Sequence, residues 1–200
     1  MKIIAKGIHK KFRQEWVFKN LNYTFESGKS YAIIGHNGAG KSTLLKTLAQ
    51  YSLPNKGTVE FEGTSEPIHQ QISFAAPYSE LIEEFTLPEL IDFLVKLNYL
   101  HPRWDVDSFT VFIDLKPSET KFIKNYSSGM RQKVKLGMAL ASDRPILCLD
   151  EPTSNLDEKA KNWFYQALES QRHKLILVAS NEASEINLCT EKLSIADYKN

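Results

Sequence analysis

Apolar and polar positions alternate in the first part of the chain, and then the rhythm changes. Short alternating and β-branched runs at Ile3 to Ile8, Leu21 to Phe25 and Ser30 to Ile34 predict strands, with Glu26-Ser27-Gly28-Lys29 as the turn before the last. From Lys41 the period becomes helical: Leu44, Leu45 and Leu48 recur on one face, and Pro54 with Gly57 marks the exit. Thr58 to Glu62, closed by Gly63, predicts an exposed strand and turn, and Ile72 to Ala76 another short strand that carries Gln70 and Gln71 before it as solvated residues. Between about Tyr78 and Tyr126 the pattern is mostly helical, with Leu90, Ile91, Leu94, Val95 and Leu97 in a stripe and a second segment around Phe109 to Leu115. Two nearly continuous apolar runs follow, Ile146 to Leu149 and Leu175 to Ala179, separated by a predicted helix from Glu158 to Ser170. Runs of that kind joined by a helix suit parallel strands buried on both faces. The expectation is a single α/β domain over residues 1–200 with a helical subdomain at approximately 78–130; no repeat or low-complexity linker divides it.

Composition narrows the partners. A chain of 200 residues, 42% apolar and 24% charged, is long enough to bury a core without disulfides or structural metal. Twenty-five Lys and Arg against 24 Asp and Glu leave a net charge of +1, which provides no general drive toward nucleic acid or anionic lipid. Cys148 and Cys189 lack metal-ligand spacing and are too few for a disulfide framework, so a reducing compartment fits. The first residues lack the apolar core of a signal peptide, and no stretch reaches the length of a membrane helix.

Gly35-His36-Asn37-Gly38-Ala39-Gly40-Lys41-Ser42 fits G-x-x-x-x-G-K-[ST] and lies between a predicted buried strand and a predicted helix, where the mechanism requires it. Glycines let the backbone wrap a phosphate, the helix start adds free N–H groups, Lys41 reaches the terminal phosphates, and Ser42 offers a hydroxyl to magnesium. Further on, Ile146-Leu147-Cys148-Leu149-Asp150-Glu151 is an apolar strand ending in two carboxylates at the carboxyl edge of a sheet, where ligands bind. Asp150 is placed to hold magnesium through its water shell and Glu151 to orient or deprotonate an attacking water. Cys148 reads as a small core residue of that strand.

The ordered set GHNGAGKST, then YSSGMRQ at Tyr126 to Gln132, then ILCLDEPTSNLD at Ile146 to Asp157 resembles the ATP-binding cassette family, over nearly the whole chain. The resemblance implies a P-loop NTPase fold of that type: a largely parallel core sheet, an N-terminal antiparallel β part and a helical subdomain. It implies that ATP is held by Gly35 to Thr43 with magnesium at Ser42 and Asp150, and that Glu151 and Lys41 serve hydrolysis. Ser127, Ser128 and Gly129 would bind the γ-phosphate of ATP held by an opposite subunit, as a helix start suits an anion. Ser154-Asn155-Leu156-Asp157 resembles the family's loop across the dimer interface, and Phe12 sits where an aromatic ring stacks on adenine, with Trp16 as its rival.

Several residues depart from the family pattern. Pro77 falls where a glutamine senses magnesium and the transport partner, so that contact is either absent or taken over by Tyr78 or Glu80. Asn181 takes the place of the histidine that holds the γ-phosphate; its amide donates a hydrogen bond but carries no proton, and His173 precedes the strand at its opposite end. Tyr126, Ser128 and Met130 replace a leucine, a glycine and a glutamine of the signature. The resulting expectation is an ATP-binding, slowly hydrolysing transporter subunit that forms a homodimer or a heterodimer with another cassette. It would drive a separate transmembrane permease from the cytoplasmic, inner face of the membrane, with no nucleic acid partner; Leu81, Ile82, Phe85 and Leu87 are either contacts for that permease or plain core residues. The alternatives are a soluble ATPase of the same fold acting on a protein or nucleic-acid machine, and a nucleotide-gated binding module with little turnover.

Overall fold

A computed structural model describes residues 1–115 and 121–199 and resolves the chain into two compact units. The first comprises Met1–Phe74, Arg144–Glu151 and the residues from Arg172 onward; the second comprises Ala75–Asp143 and Pro152–Gln171.

In the first unit, β1 (Lys2–Phe12) and β2 (Glu15–Glu26) form an antiparallel hairpin in register from Lys2↔Glu26 to Phe12↔Glu15. Arg13 takes φ 52° in the connection, as tight hairpin turns demand. The strands run well past the apolar runs that predict them, because backbone pairing continues through the polar ends Lys10, Lys11 and Glu15. Register shifts between Ala5 and Lys11 mark bulges. The free side of β1 pairs with β4 (Lys56–Glu62), giving the order β2-β1-β4.

The second sheet has five strands in the order β5-β6-β7-β3-β8: β5 (Ile72–Ala75), β6 (Ile146–Asp150), β7 (Leu175–Ala179), β3 (Ser30–Ile34) and β8 (Glu191–Ser194). The pairs β6–β7, β7–β3 and β3–β8 are parallel, and every residue of β6 and β7 is buried, as their continuous apolar runs foretell. Gln70 ends a 3-10 turn over Ile68–Gln70 rather than leading directly into the strand. Helix α1 (Lys41–Leu48) lies against β3, β6 and β7 through Leu44, Leu45 and Leu48, all fully buried. These join Ile3, Phe18, Phe25, Ile33 and Leu177 in one core. Cys148 is part of this core and Cys189 is partly buried in the same unit; burial pushes both thiols upward in pKa, that of Cys189 to about 12.

The second unit is helical. α2 (Leu87–Lys96) begins at a capping box in which Thr86 and Glu89 exchange hydrogen bonds, with Pro88 in its first turn. α3 (Val106–Phe112) is capped by Asp105 and starts before the predicted Phe109. α4 (Ser128–Ala141) and α5 (Glu158–Glu169) complete the unit's helices of seven residues or more, whereas α6 (Ala183–Ile186) is a single turn of the first unit. Leu90, Ile91, Phe109, Ile113, Ile123 and Val134 build its separate core. Leu87 belongs to that core at 0% exposure, so of its two readings the core one holds and the docking one does not; its position at the start of α2 turns it inward. Leu81, Ile82 and Phe85 are only partly buried. Among the described residues no helix is long and apolar enough to cross a membrane.

Candidate nucleotide site

The phosphate loop hangs between the buried end of β3 and the first turn of α1. Gly40 is the residue before that helix, at φ 105°, and a Cβ there would overlap Cγ1 of Val17, so only glycine lets the loop close against β2. Among the described residues no side chain caps the first turn of α1, and no acidic residue stands in it. Its free N–H groups and positive dipole end therefore suit an anion. Lys41, 5% exposed, folds back so that Nζ donates to the carbonyls of Gly35 at 2.9 Å and His36 at 3.2 Å. The ammonium thus waits inside the loop it would share with a phosphate.

The outer lip of the loop is held by its own unit. The Asn181 side-chain amide donates to Oδ1 of Asn37. His36 Nδ1 lies 2.8 Å from the Asn37 carbonyl, and its Nε2 lies 3.3 Å from Lys199 Nζ. Asn181, expected near a γ-phosphate, is thereby placed against the phosphate loop, while His173 precedes β7.

β6 delivers the carboxylates. Asp150 closes the strand at 1% exposure and pairs in register with Ala179 of β7. Glu151 follows it, exposed, at φ 42°, with its N–H donating to the Ala179 carbonyl at 2.9 Å. A non-glycine residue held in the left-handed region is a local strain of a kind that concentrates at functional sites. Among the described residues no three His, Cys, Asp or Glu side chains gather as a metal site. The hydroxyl of Ser42 and the carboxylate of Asp150 are hard oxygen donors, which fits Mg2+ that keeps waters and phosphate oxygens as its other ligands.

The hairpin separates the two candidate aromatics. Phe12 pairs with Glu15, and Glu15 shares its strand face with Val17, the neighbour of Gly40. Trp16 pairs with Lys11 on the other face, edge-on to His9 with ring centroids 5.7 Å apart and beneath the Lys11 ammonium. Lys10 Nζ stands over the Phe12 ring, 5.8 Å from its centroid, and the side chain is still 57% exposed, which leaves ring surface for a planar base.

In the second unit Ser127 caps α4: its Oγ accepts from the N–H of Met130 at 3.2 Å, and Ser127 and Ser128 stay exposed. A Cβ on Gly129 would stand 3.2 Å from the Asn155 carbonyl, so glycine lets the serine turn sit on the Ser154-to-Asp157 loop. Asn155 has φ 63°, and Asp157 caps α5 by accepting from Ala160 N–H at 2.8 Å. An open depression of about 370 Å³ is lined by Ser127, Gly129, Asn155 and Asp157 together with Asp114 and Lys133. The last two carry no motif, and spacing could not have singled them out. Tyr126, before the serine turn, is 3% exposed, and its hydroxyl has no hydrogen-bond partner among the described residues.

Pro77 lines a second, larger depression with Tyr78, Glu80, Glu83, Arg131 and Lys135. The proline carbonyl accepts from Lys135 Nζ at 2.7 Å, so a lysine of α4 holds the place where no amide side chain is present. Burial pulls the Lys135 pKa down, Arg131 adds to that, and Glu80 opposes it.

A phosphate-wrapping loop, a strand ending in Asp-Glu and a serine-capped helix define an ATP-binding cassette. The family description "ABC transporter" matches residues 18–154, and the chain belongs to that family as an ATP-binding subunit of the ATPase class. It is 31% identical over 192 residues to the uncharacterised ABC transporter ATP-binding protein YybJ of Bacillus subtilis, covering 92% of this chain and 87% of that one. The Nod factor export ATP-binding protein I of Burkholderia lata is 28% identical over 204 residues; the match covers 96% of this chain but only 66% of the relative. The solved dimeric, post-hydrolysis structure of the ATP-binding cassette MJ0796 with ADP and Pi superposes with a TM-score of 0.82 at 20% identity, over 96% of this chain and 93% of that one. The parallel sheet, antiparallel sheet and helices expected from the sequence are the fold that these structures share.

Proposed function

We propose that two cassettes, identical or different, close around two Mg-ATP and that hydrolysis reopens them, moving a separate membrane subunit. The observation that carries this reading is the uncapped start of α1 beneath a glycine-closed loop with Lys41 turned into it. Gly35 to Thr43 bind the phosphates, Phe12 stacks on adenine, and Ser42 with Asp150 hold Mg2+, which would supply charge neutralisation on the phosphate oxygens. Glu151 orients the attacking water and takes its proton, and Asn181 turns from Asn37 to donate to the γ-phosphate. Ser127, Ser128 and Gly129 serve the nucleotide of the partner, and Ser154 to Asp157 lie at the interface. The dimeric neighbour structure with ADP and Pi supports both the pairing and the turnover. The names of the relatives support a transporter setting, hence a cytoplasmic position on the inner face of the membrane, with Leu81, Ile82 and Phe85 beside the depression at Pro77 as the permease contact.

A Glu151→Gln chain should dimerise on adding Mg-ATP, and Ser127→Arg should abolish that response in analytical ultracentrifugation. A chain that stays monomeric at saturating nucleotide would overturn the reading. A second reading, a nucleotide-gated module with little turnover, is favoured by the engagement of Asn181 with Asn37 and by Pro77. It predicts ATP-driven dimerisation of the unaltered chain with no phosphate release in a single-turnover experiment.

A further inference from the structure

α3 ends at Phe112, and Asp114 follows with φ 47°, a conformation in which glycine is the least strained residue. The aspartate is used. Its Oδ2 accepts from Lys133 Nζ at 3.3 Å and pairs with Lys159 Nζ at 2.9 Å, and Lys133 Nζ also donates to the Asp114 carbonyl at 2.9 Å. Lys133 lies on α4 one turn beyond Gly129, and Lys159 lies in the first turn of α5, directly after the Ser154-to-Asp157 loop. The Lys133 side chain is only 13% exposed and its ammonium stands 5.8 Å from the Trp163 ring centroid. Trp163 Nε1 in turn donates to the Phe112 carbonyl at 2.5 Å, closing a ring of contacts through α3, α4 and α5. Asp114 and Lys133 line the same depression as Ser127, Gly129 and Asn155.

We propose that Asp114 is a positioning residue that ties the helix starting at Ser127 to the helix starting after Asp157, so that serine turn and interface loop meet a second chain as one rigid piece. This rests on the dimeric reading above. The lysines hold the Asp114 carboxyl below the usual carboxylate range, consistent with a carboxylate in use at neutral pH. The Asp114 and Lys159 side chains are open to solvent, at 45% and 79% exposure, and such pairs add little to overall stability. The two roles therefore separate in one variant. Asp114→Gly removes the left-handed strain together with the carboxylate, so it should leave the melting temperature unchanged or higher while loosening the two helix starts.

The test uses the full chain. In the nucleotide-free protein, Asp114→Gly should speed amide exchange at residues 127–130 and 155–157 together, with the melting temperature not lowered. In the Glu151→Gln background with Mg-ATP it should weaken dimerisation about fivefold or more, with Asp114→Asn in between. Lys133→Met should reproduce the loss and add little to it in the double variant. Unchanged exchange and dimerisation, or losses that track a falling melting temperature, would overturn the proposal. A Glu151→Gln parent that never dimerises defeats the dimeric reading instead, and the exchange result then decides the positioning role alone.

Discussion

Replacing Gly137 with alanine sets two terms of known sign against each other. In an open helix interior the change stabilises by about 1 kcal/mol, because alanine has the better helix propensity. On α4, however, the new methyl would overlap Cγ2 of Ile113 and stand 3.0 Å from Cζ of Phe109, both fully buried. Ile113 caps the end of α3 with its N–H bonded to the Phe109 carbonyl at 2.9 Å, and its β-branched, fully buried side chain has little rotamer freedom, so relief falls on a shift of α3. Overpacking of that kind costs about 1–3 kcal/mol, and it outweighs the propensity gain by roughly 1 kcal/mol net, up to about 2. For a chain of this size the melting temperature should fall by about 2–8 °C, measured by thermal denaturation followed by circular dichroism. Ile113→Ala alone should cost about 2–5 kcal/mol, and in the Gly137→Ala background at least about 1 kcal/mol less, since the space one change opens is filled by the other. A rise in melting temperature for Gly137→Ala, or strict additivity in the double variant, would refute the close approach of α3 and α4.

Phe12→Ala should weaken ATP binding about 5- to 100-fold, the worth of one stacked base, while Trp16→Ala leaves it nearly unchanged; equal losses in a fluorescence titration would reverse the assignment of faces. Asn181→His should raise the hydrolysis rate, most at pH below about 6.5 where the imidazolium donates a charge-assisted bond, and Asn181→Ala should lower it; a loss for the histidine variant would place the γ-phosphate contact elsewhere. Tyr126→Phe should stabilise the chain by about 1 kcal/mol in urea titration by removing a buried hydroxyl that has no partner among the described residues, and a destabilisation would reveal a partner, such as a bound water, that satisfies it.

What could be read from the residues was what carries its own period or spacing. The phosphate loop, α1, β6 and β7 announce themselves because each is an unbroken apolar run or a fixed glycine pattern. β8 does not: Glu-Lys-Leu-Ser has one buried residue in four and becomes a strand only because the open edge of β3 takes it up. α4 is legible at its first residues alone, since Gly137 and the polar Arg131, Gln132, Lys133 and Lys135 blur its stripe. Leu87 stays open between surface contact and core in the sequence because an apolar residue beside a proline looks the same on a surface as at a buried helix start. Asp114 was invisible for another reason: its meaning lies in lysines brought near by folding, not in any neighbour along the chain.

The path of the chain also bears on how it is made. β3 is complete by Ile34, yet both of its partners, β7 and β8, lie beyond Leu175. During synthesis the β1–β2–β4 ribbon can zip up soon after it leaves the ribosome, whereas a strand with four of its five residues destined for burial stays bare until β7 and β8, about 140 residues or more later, have emerged. That interval, set by topology and not by any single contact, is when a nascent cassette is most prone to clump and most in need of a chaperone.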